Sequence, residues 1–195
     1  IELDGYNEKG VHDEAREMYS LCKTSPGTFD VRLATDTAEA DKLWLARREV
    51  LPSLKALGKD HLEADVAVPR YKLPFLVRFV RGLKHSDTLQ IATYGHAGDG
   101  NLHITILYRR RNFAELDEAY RLLEMIYQET IEMGGTLTGE HGVGLTVMDY
   151  LPMQLTGETL PLMKKIKDAF DPEGLLNPGK IFRGPAGTKP RQRGR

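Results

Sequence analysis

The stretch GHAGDGNLH, Gly95 to His103, restricts the fold more than any other part of the chain. It lies between two apolar runs, TLQIATYGH and NLHITILY. Asp-Gly between alternating segments predicts a two-residue hairpin loop, because a type I′ turn needs positive φ at both centres. With Asp99-Gly100 as the loop, Gly98 pairs with Asn101, Ala97 with Leu102 and His96 with His103. Directly opposed residues share a face, with Cβ atoms roughly 4.5–5.5 Å apart, so the two imidazoles can converge on one ion. On the second strand Leu102, Ile104, Ile106 and Tyr108 fall on one face, and Asn101, His103 and Thr105 on the other. The first set is a core face. The second carries the histidines away from it, toward a site or toward solvent. Gly95, Gly98 and Gly100 remove side chains nearby and let a ligand approach the backbone. An ordinary hairpin with two half-exposed histidines is the alternative.

The rest of the chain mixes helices and strands. VHDEAREMYSLC spaces Val11, Ala15, Met18 and Cys22 as a helix does. FDVRLAT alternates like a strand, and the opening IELDG reads as the end of one. Asp36 and Glu39 resemble a capping box opening a helix that Pro52 kinks or ends. ADVAVP is a short strand, and KLPFLVRFVRGL a helix stopped near Gly82. AELDEAYRLLEMIYQETIEMGG is the clearest helix, ended by Gly134-Gly135. PLMKKIKDAFDPEG is the last helix, with Pro161 near its start and Asp171-Pro172 at its stop. The clearest strand pair is a hairpin, so the expected fold is α+β: an antiparallel sheet with helices packed mainly on one face.

The chain has 195 residues, 41% of them hydrophobic, enough for one domain with a real core, expected over residues 1–183. Residues 184–195 turn to Gly, Pro, Lys and Arg and are expected to be a disordered tail. A net charge of -1 argues against bulk attraction to nucleic acid. The single Cys22 excludes an internal disulfide and fits a reducing compartment. No apolar run is long enough to span a bilayer, and no signal peptide stands at the start. The expected location is cytoplasmic, or peripheral to an inner membrane. Opening on Ile1 within an apparent strand, the chain reads as a fragment of a longer protein.

A divalent site wants a third protein ligand and an open position. GGTLTGEHGVG supplies Glu140 and His141 between Gly139 and Gly142. Neighbouring side chains of extended chain point opposite ways, so a division of labour follows: the carboxylate binds metal and the imidazole does proton chemistry beside it. The competing reading is a polar pair in a flexible loop. Other motifs fail. GDGNLH lacks the third glycine of a dinucleotide fingerprint, Gly179-Lys180 is followed by Ile181 and so is no P-loop, and no Ser sits in a nucleophile elbow. Cys22 reads as a small helix residue, and His12, His61 and His85 have no pattern around them.

YGHAGDGNLHITIL, GGTLTGEHGVG and IKDAFDPEGLLNPGKIF, in this order, resemble the C-terminal half of FAD-linked oxidases of the D-lactate dehydrogenase, glycolate oxidase subunit and D-2-hydroxyglutarate dehydrogenase group. DVAVP after a WLARRE helix also fits, and the likeness runs to about Phe182. The resemblance implies a flavoprotein of the vanillyl-alcohol oxidase type. An N-terminal domain would bind most of the FAD, and the present chain would cap the flavin and shape the substrate site. It implies a divalent metal (zinc, manganese or iron) on His96, His103 and Glu140, with His141 as the base. Asn177 of LLNPGK would contact the flavin, and Asn101 and Arg48 would contact substrate. The isolated chain would show no oxidase activity. Relatives often carry lysine where this chain has Val147, and those acting on a dicarboxylate tend to have lysine where it has Glu63. An acidic Glu63 would repel a second carboxylate, which points to a small monocarboxylate such as D-lactate or glycolate. The implied partners are a 2-hydroxy acid, the flavin domain and an electron acceptor such as a quinone, a cytochrome or another subunit. A homo-oligomer is compatible with the sequence. Two rival readings are a non-catalytic docking module for assembly or electron transfer, and a stand-alone metallohydrolase.

Overall fold

The computed structural model of the chain describes residues 1–182, so the tail expected at 184–195 lies outside the described residues. Two compact units are present, Ile1–Leu54 and the chain from Lys55 onward.

The first unit is built on α1 (Glu8–Thr24) and α2 (Thr37–Arg48). Asp36 caps α2 by accepting from the Glu39 N–H at 2.8 Å, and the Glu39 carboxylate reaches back to the Thr35 N–H at 2.9 Å. The capping box therefore forms, with its return bond one residue early. The break after α2 falls at Glu49, and α3 (Val50–Ala56) carries Pro52 in its first turn, where a missing N–H costs nothing. FDVRLAT and IELDG form no strand. Alternation alone does not make a strand without a neighbour to complete the ladder, and Phe29 is fully exposed.

The second unit is an α+β layer pair. Its sheet has the order β1-β3-β2 and is antiparallel throughout, from β1 (Asp60–Ala67), β2 (Gln90–His96) and β3 (Asn101–Tyr108). One face carries Ala64 and Val66 of β1 with Leu102, Ile104 and Ile106 of β3. Against it pack Leu76 and Val80 of α4 (Leu73–Gly82) and Leu122, Leu123, Ile126 and Tyr127 of α5 (Phe113–Glu132). The remaining helices are α6 (Leu151–Gln154) and α7 (Thr159–Phe170).

The end of α5 decides where the next segment goes. Gly134 turns the chain at φ +74°, and the Gly135 N–H bonds back to the Thr130 carbonyl at 2.9 Å. A Cβ at Gly135 would stand 2.3 Å from the Ala67 carbonyl oxygen, so only glycine lets the chain pass this close. Thr136 then bridges Ala67 through two backbone bonds of 3.1 and 2.8 Å, and the Gly139 N–H bonds the Asp65 carbonyl at 2.8 Å. Residues 136–141 are thereby laid along the edge of β1.

Candidate functional site

The hairpin differs from the expected one in its register. His96 stands opposite Asn101 and Tyr94 opposite His103, so the loop is the four residues Ala97–Gly100. Only Gly100 takes a positive φ, +72°; Asp99 stays within a 3-10 turn, and the type I′ geometry that requires both is not formed. Gly100 is also tightly placed, since a Cβ there would lie 2.1 Å from the Val68 carbonyl oxygen. The shift is two residues, and side chains alternate with period two, so every residue keeps its face. His96 and His103 become diagonal neighbours, with ring centroids 5.5 Å apart and planes at 84°.

The functional face of the sheet holds Glu63 and Asp65 from β1, Tyr94 and His96 from β2, and Asn101, His103 and Thr105 from β3. The expectation that its histidines turn toward a site or solvent holds for His96, whose side chain is 41% exposed. His103 lies on the same face and turns toward Glu140, but it is only 3% exposed, covered by the segment pinned to β1.

That segment delivers Glu140. Its Oε1 lies 3.1 Å from His103 Nε2 and 3.4 Å from His96 Nε2. The three donor atoms offered by His96, His103 and Glu140 all fall within 4.8 Å of one another. Two imidazole nitrogens and a carboxylate oxygen, with one histidine buried and two groups open to the outside, fit a divalent ion of the zinc, manganese or iron type. His141 is beside them. Its ring stacks on that of His103 with centroids 5.2 Å apart, and its side chain is half exposed. Glu63 also reaches the cluster, forming a second group of ligating atoms with His103 and His141. Tyr94 Oη donates to Glu63 Oε1 at 3.4 Å. Asn101 is 5% exposed, and its Oδ1 has no hydrogen-bond partner.

Asp65 organises this cluster. Its Oδ2 accepts three backbone N–H groups, from Gly139, Glu140 and His141, at 3.1, 2.8 and 2.7 Å. Burial works against its charge, but the N–H groups of His141 and Glu140 prevail and hold its carboxyl below the usual carboxylate range. Burial also pushes the His103 imidazole below its ordinary value, against the pull of Asp65 and Glu140, and so favours the neutral ring a metal ligand needs. The sequence signal for Asp65 was an acid set between Ala64 and Val66, two residues that belong to the core face.

The other two candidates sit apart from this group in the chain. Arg48 closes α2 in the first unit and donates to the Asp41 carbonyl at 3.1 Å. Asn177 takes φ +47° after α7, and its carbonyl accepts from the Lys180 N–H at 3.2 Å. The Ile181 N–H bonds the Gly144 carbonyl at 3.4 Å, which ties this last segment to the glycine loop that carries Glu140.

The sequence pattern described as "FAD linked oxidases, C-terminal domain" matches residues 1–181. The chain is a FAD-linked oxidase C-terminal domain. Among the relatives of this FAD-linked oxidase domain is the glycolate oxidase subunit GlcD of Bacillus subtilis, 38% identical over 93% of this chain and 38% of its own length. The D-lactate dehydrogenase of Anaerostipes hadrus is 32% identical over 92% of the chain and 38% of its own length. The mitochondrial cytochrome-type D-lactate dehydrogenase of Kluyveromyces lactis is 33% identical over 94% of the chain and 32% of its own length. The FAD-linked oxidase domain thus spans less than two-fifths of the length of these relatives. Among the described residues no helix is long and apolar enough to cross a membrane.

Proposed function

We propose that the chain is the substrate- and metal-holding part of a flavin-linked oxidoreductase that converts a small 2-hydroxy monocarboxylate, of the glycolate or D-lactate type, to the 2-oxo acid. The supporting observation is the gathering of His96, His103 and Glu140 around one point with the His141 ring stacked alongside. It is joined by the names of the relatives, which include a glycolate oxidase subunit and D-lactate dehydrogenases.

In this reading His96, His103 and Glu140 hold a divalent ion. Such an ion would lower the pKa of the substrate hydroxyl, and FAD bound mainly by a separate N-terminal domain would accept the hydride from C2. His141 takes the hydroxyl proton on a ring nitrogen. Its backbone is fixed by Asp65 while its ring stays half exposed, so it is aimed yet able to exchange protons. Asn101, opposite His96 on the same face, contacts the substrate. Asn177 contacts the flavin. Glu63 puts a negative charge on the same face, which disfavours a second carboxylate on the substrate. Reoxidation falls to a quinone, a cytochrome or a further subunit.

The test is turnover of the flavin-containing protein with glycolate, D-lactate and D-2-hydroxyglutarate, before and after chelation. Monocarboxylate turnover that chelation abolishes and a divalent ion restores supports the reading. Preference for the dicarboxylate overturns the substrate class, and indifference to chelation overturns the metal.

A further inference from the structure

We propose that Asp65 is the positioning residue of the site. One of its oxygens clamps the backbone that carries Glu140 and His141; the other fixes the His103 ring with its proton on Nδ1, which leaves the Nε2 lone pair facing the ligand position. The proposal rests on reading His96, His103 and Glu140 as a metal-holding set.

The clamp is a matter of counting donors. Oδ2 receives three consecutive backbone N–H groups, so the Cα positions of both Glu140 and His141 are tied to one buried atom. Neither residue sits in a helix or strand that would fix it otherwise.

The second oxygen settles the ring. Asp65 and His103 are direct partners across β1 and β3, and both are nearly inaccessible, at 6% and 3% exposure. Asp65 Oδ1 and His103 Nδ1 lie 3.4 Å apart, both buried and neither in a formed hydrogen bond, and the Asn101 side chain also bears on the Asp65 carboxylate. A proton on Nδ1 gives both atoms a partner at once. A proton on Nε2 would leave lone pairs facing each other across Oδ1 and Nδ1, in a place from which water is excluded. It would instead donate to Glu140 Oε1, 3.1 Å away, and so take up the position where a ligand lone pair is needed. The two carboxylates thus compete for the ring proton, and the shared burial of Asp65 and His103 weighs toward Nδ1. Ligating histidines generally donate their second ring N–H to a carboxylate, which fixes tautomer and orientation together. Here the strand register supplies that carboxylate. A one-residue slip would send Asp65 to the opposite face, where Ala64 and Val66 are wholly buried in the core.

Nitrogen-15 NMR of the histidine rings in the full chain tests this directly. Native His103 is expected to carry its proton on Nδ1. In Asp65→Asn the amide oxygen still accepts the three backbone N–H groups, but the amide NH₂ faces His103 Nδ1 and favours the opposite tautomer. The variant is expected to keep its fold, to move the His103 proton to Nε2 and to lose about 10- to 100-fold in affinity for Mn²⁺. A merely structural carboxylate would move neither the tautomer nor the affinity in a folded variant, and that outcome overturns the proposal. Native His103 protonated on Nε2 overturns it as well, whatever the variant does. If the native chain binds neither Mn²⁺ nor Zn²⁺, the metal reading falls, and the native tautomer alone decides the role of Asp65.

Discussion

The His103 and His141 rings stack with centroids 5.2 Å apart and planes 20° from parallel, one ring buried and the other half exposed. The pair separates two tasks within one contact. The buried ring presents Nε2 to Glu140, while the exposed ring is reachable by a substrate hydroxyl. Replacing His141 by Asn should remove the base and leave the ligand set intact. In the flavin-containing protein we expect kcat to fall about 10²- to 10⁴-fold with metal content unchanged. Steady-state kinetics and elemental analysis of the same preparation check this, and near-normal turnover would reject His141 as the base.

The two histidines of the hairpin should respond differently to truncation, because their surroundings differ. The His96 side chain is 41% exposed and that of His103 is 4% exposed. His103→Ala leaves a void and a buried Asp65 Oδ1 with nothing opposite it, at a cost of about 1–3 kcal/mol. His96→Ala vacates partly solvated space and should stay within about 0.5 kcal/mol of the native chain. Both should weaken divalent-ion binding. Thermal unfolding alongside calorimetric titration with Zn²⁺ reads the two effects separately. Equal stability of the two variants would contradict the burial assigned to His103.

The faces of the hairpin were legible from alternation, and its register was not. Asp99-Gly100 announces a turn, but Asp99 remains right-handed while Gly100 fits against the Val68 carbonyl, a contact from outside the hairpin. Helix α5 was legible because seven of its residues are buried at helical spacing and Gly134 stops it. The strand expected at FDVRLAT was not realised, since sheet pairing is a property of two segments and alternation reports only one. His96, His103 and Glu140 were recognisable from residue type and glycine context. Asp65 was harder to see, because its partners come from residues 139–141 and the bridge between Thr136 and Ala67 that aligns them is long-range.

Away from the site, Glu115 should govern part of the acid stability. It is 4% exposed and accepts from the Thr88 hydroxyl, the Arg109 N–H and the Arg109 guanidinium. These bonds, the Thr88 hydroxyl foremost, outweigh burial and lower its pKa from 4.5 to about 2. A depressed carboxylate pKa stabilises the fold above the unfolded value and loses that stabilisation as pH falls through the folded one. Melting temperature should therefore decline between pH 4.5 and about 2, the window set by this shift. Glu115→Gln should start lower and show a shallower decline over the same window. Parallel acid limbs for the two proteins would show that Glu115 is not responsible.

Two glycines of the loop offer a contrast in packing. A Cβ at Gly139 would stand 2.4 Å from Asn101 Nδ2 and 3.0 Å from Asp65 Oδ1, whereas one at Gly144 would meet nothing within 4 Å. Neither takes the positive φ that would penalise alanine by itself. Gly139→Ala must therefore displace Asn101, or Asp65, or the backbone that Asp65 holds. Overpacking of this kind costs about 1–3 kcal/mol, and here it is paid where Glu140 is aimed. Divalent-ion affinity in Gly139→Ala should fall by about tenfold or more, since ligand sets tolerate little displacement of their supporting shell. Gly144→Ala should bind as the native chain does. Titration of both variants with Mn²⁺ separates a steric effect at residue 139 from a general stiffening of the glycine-rich loop, which would weaken both alike.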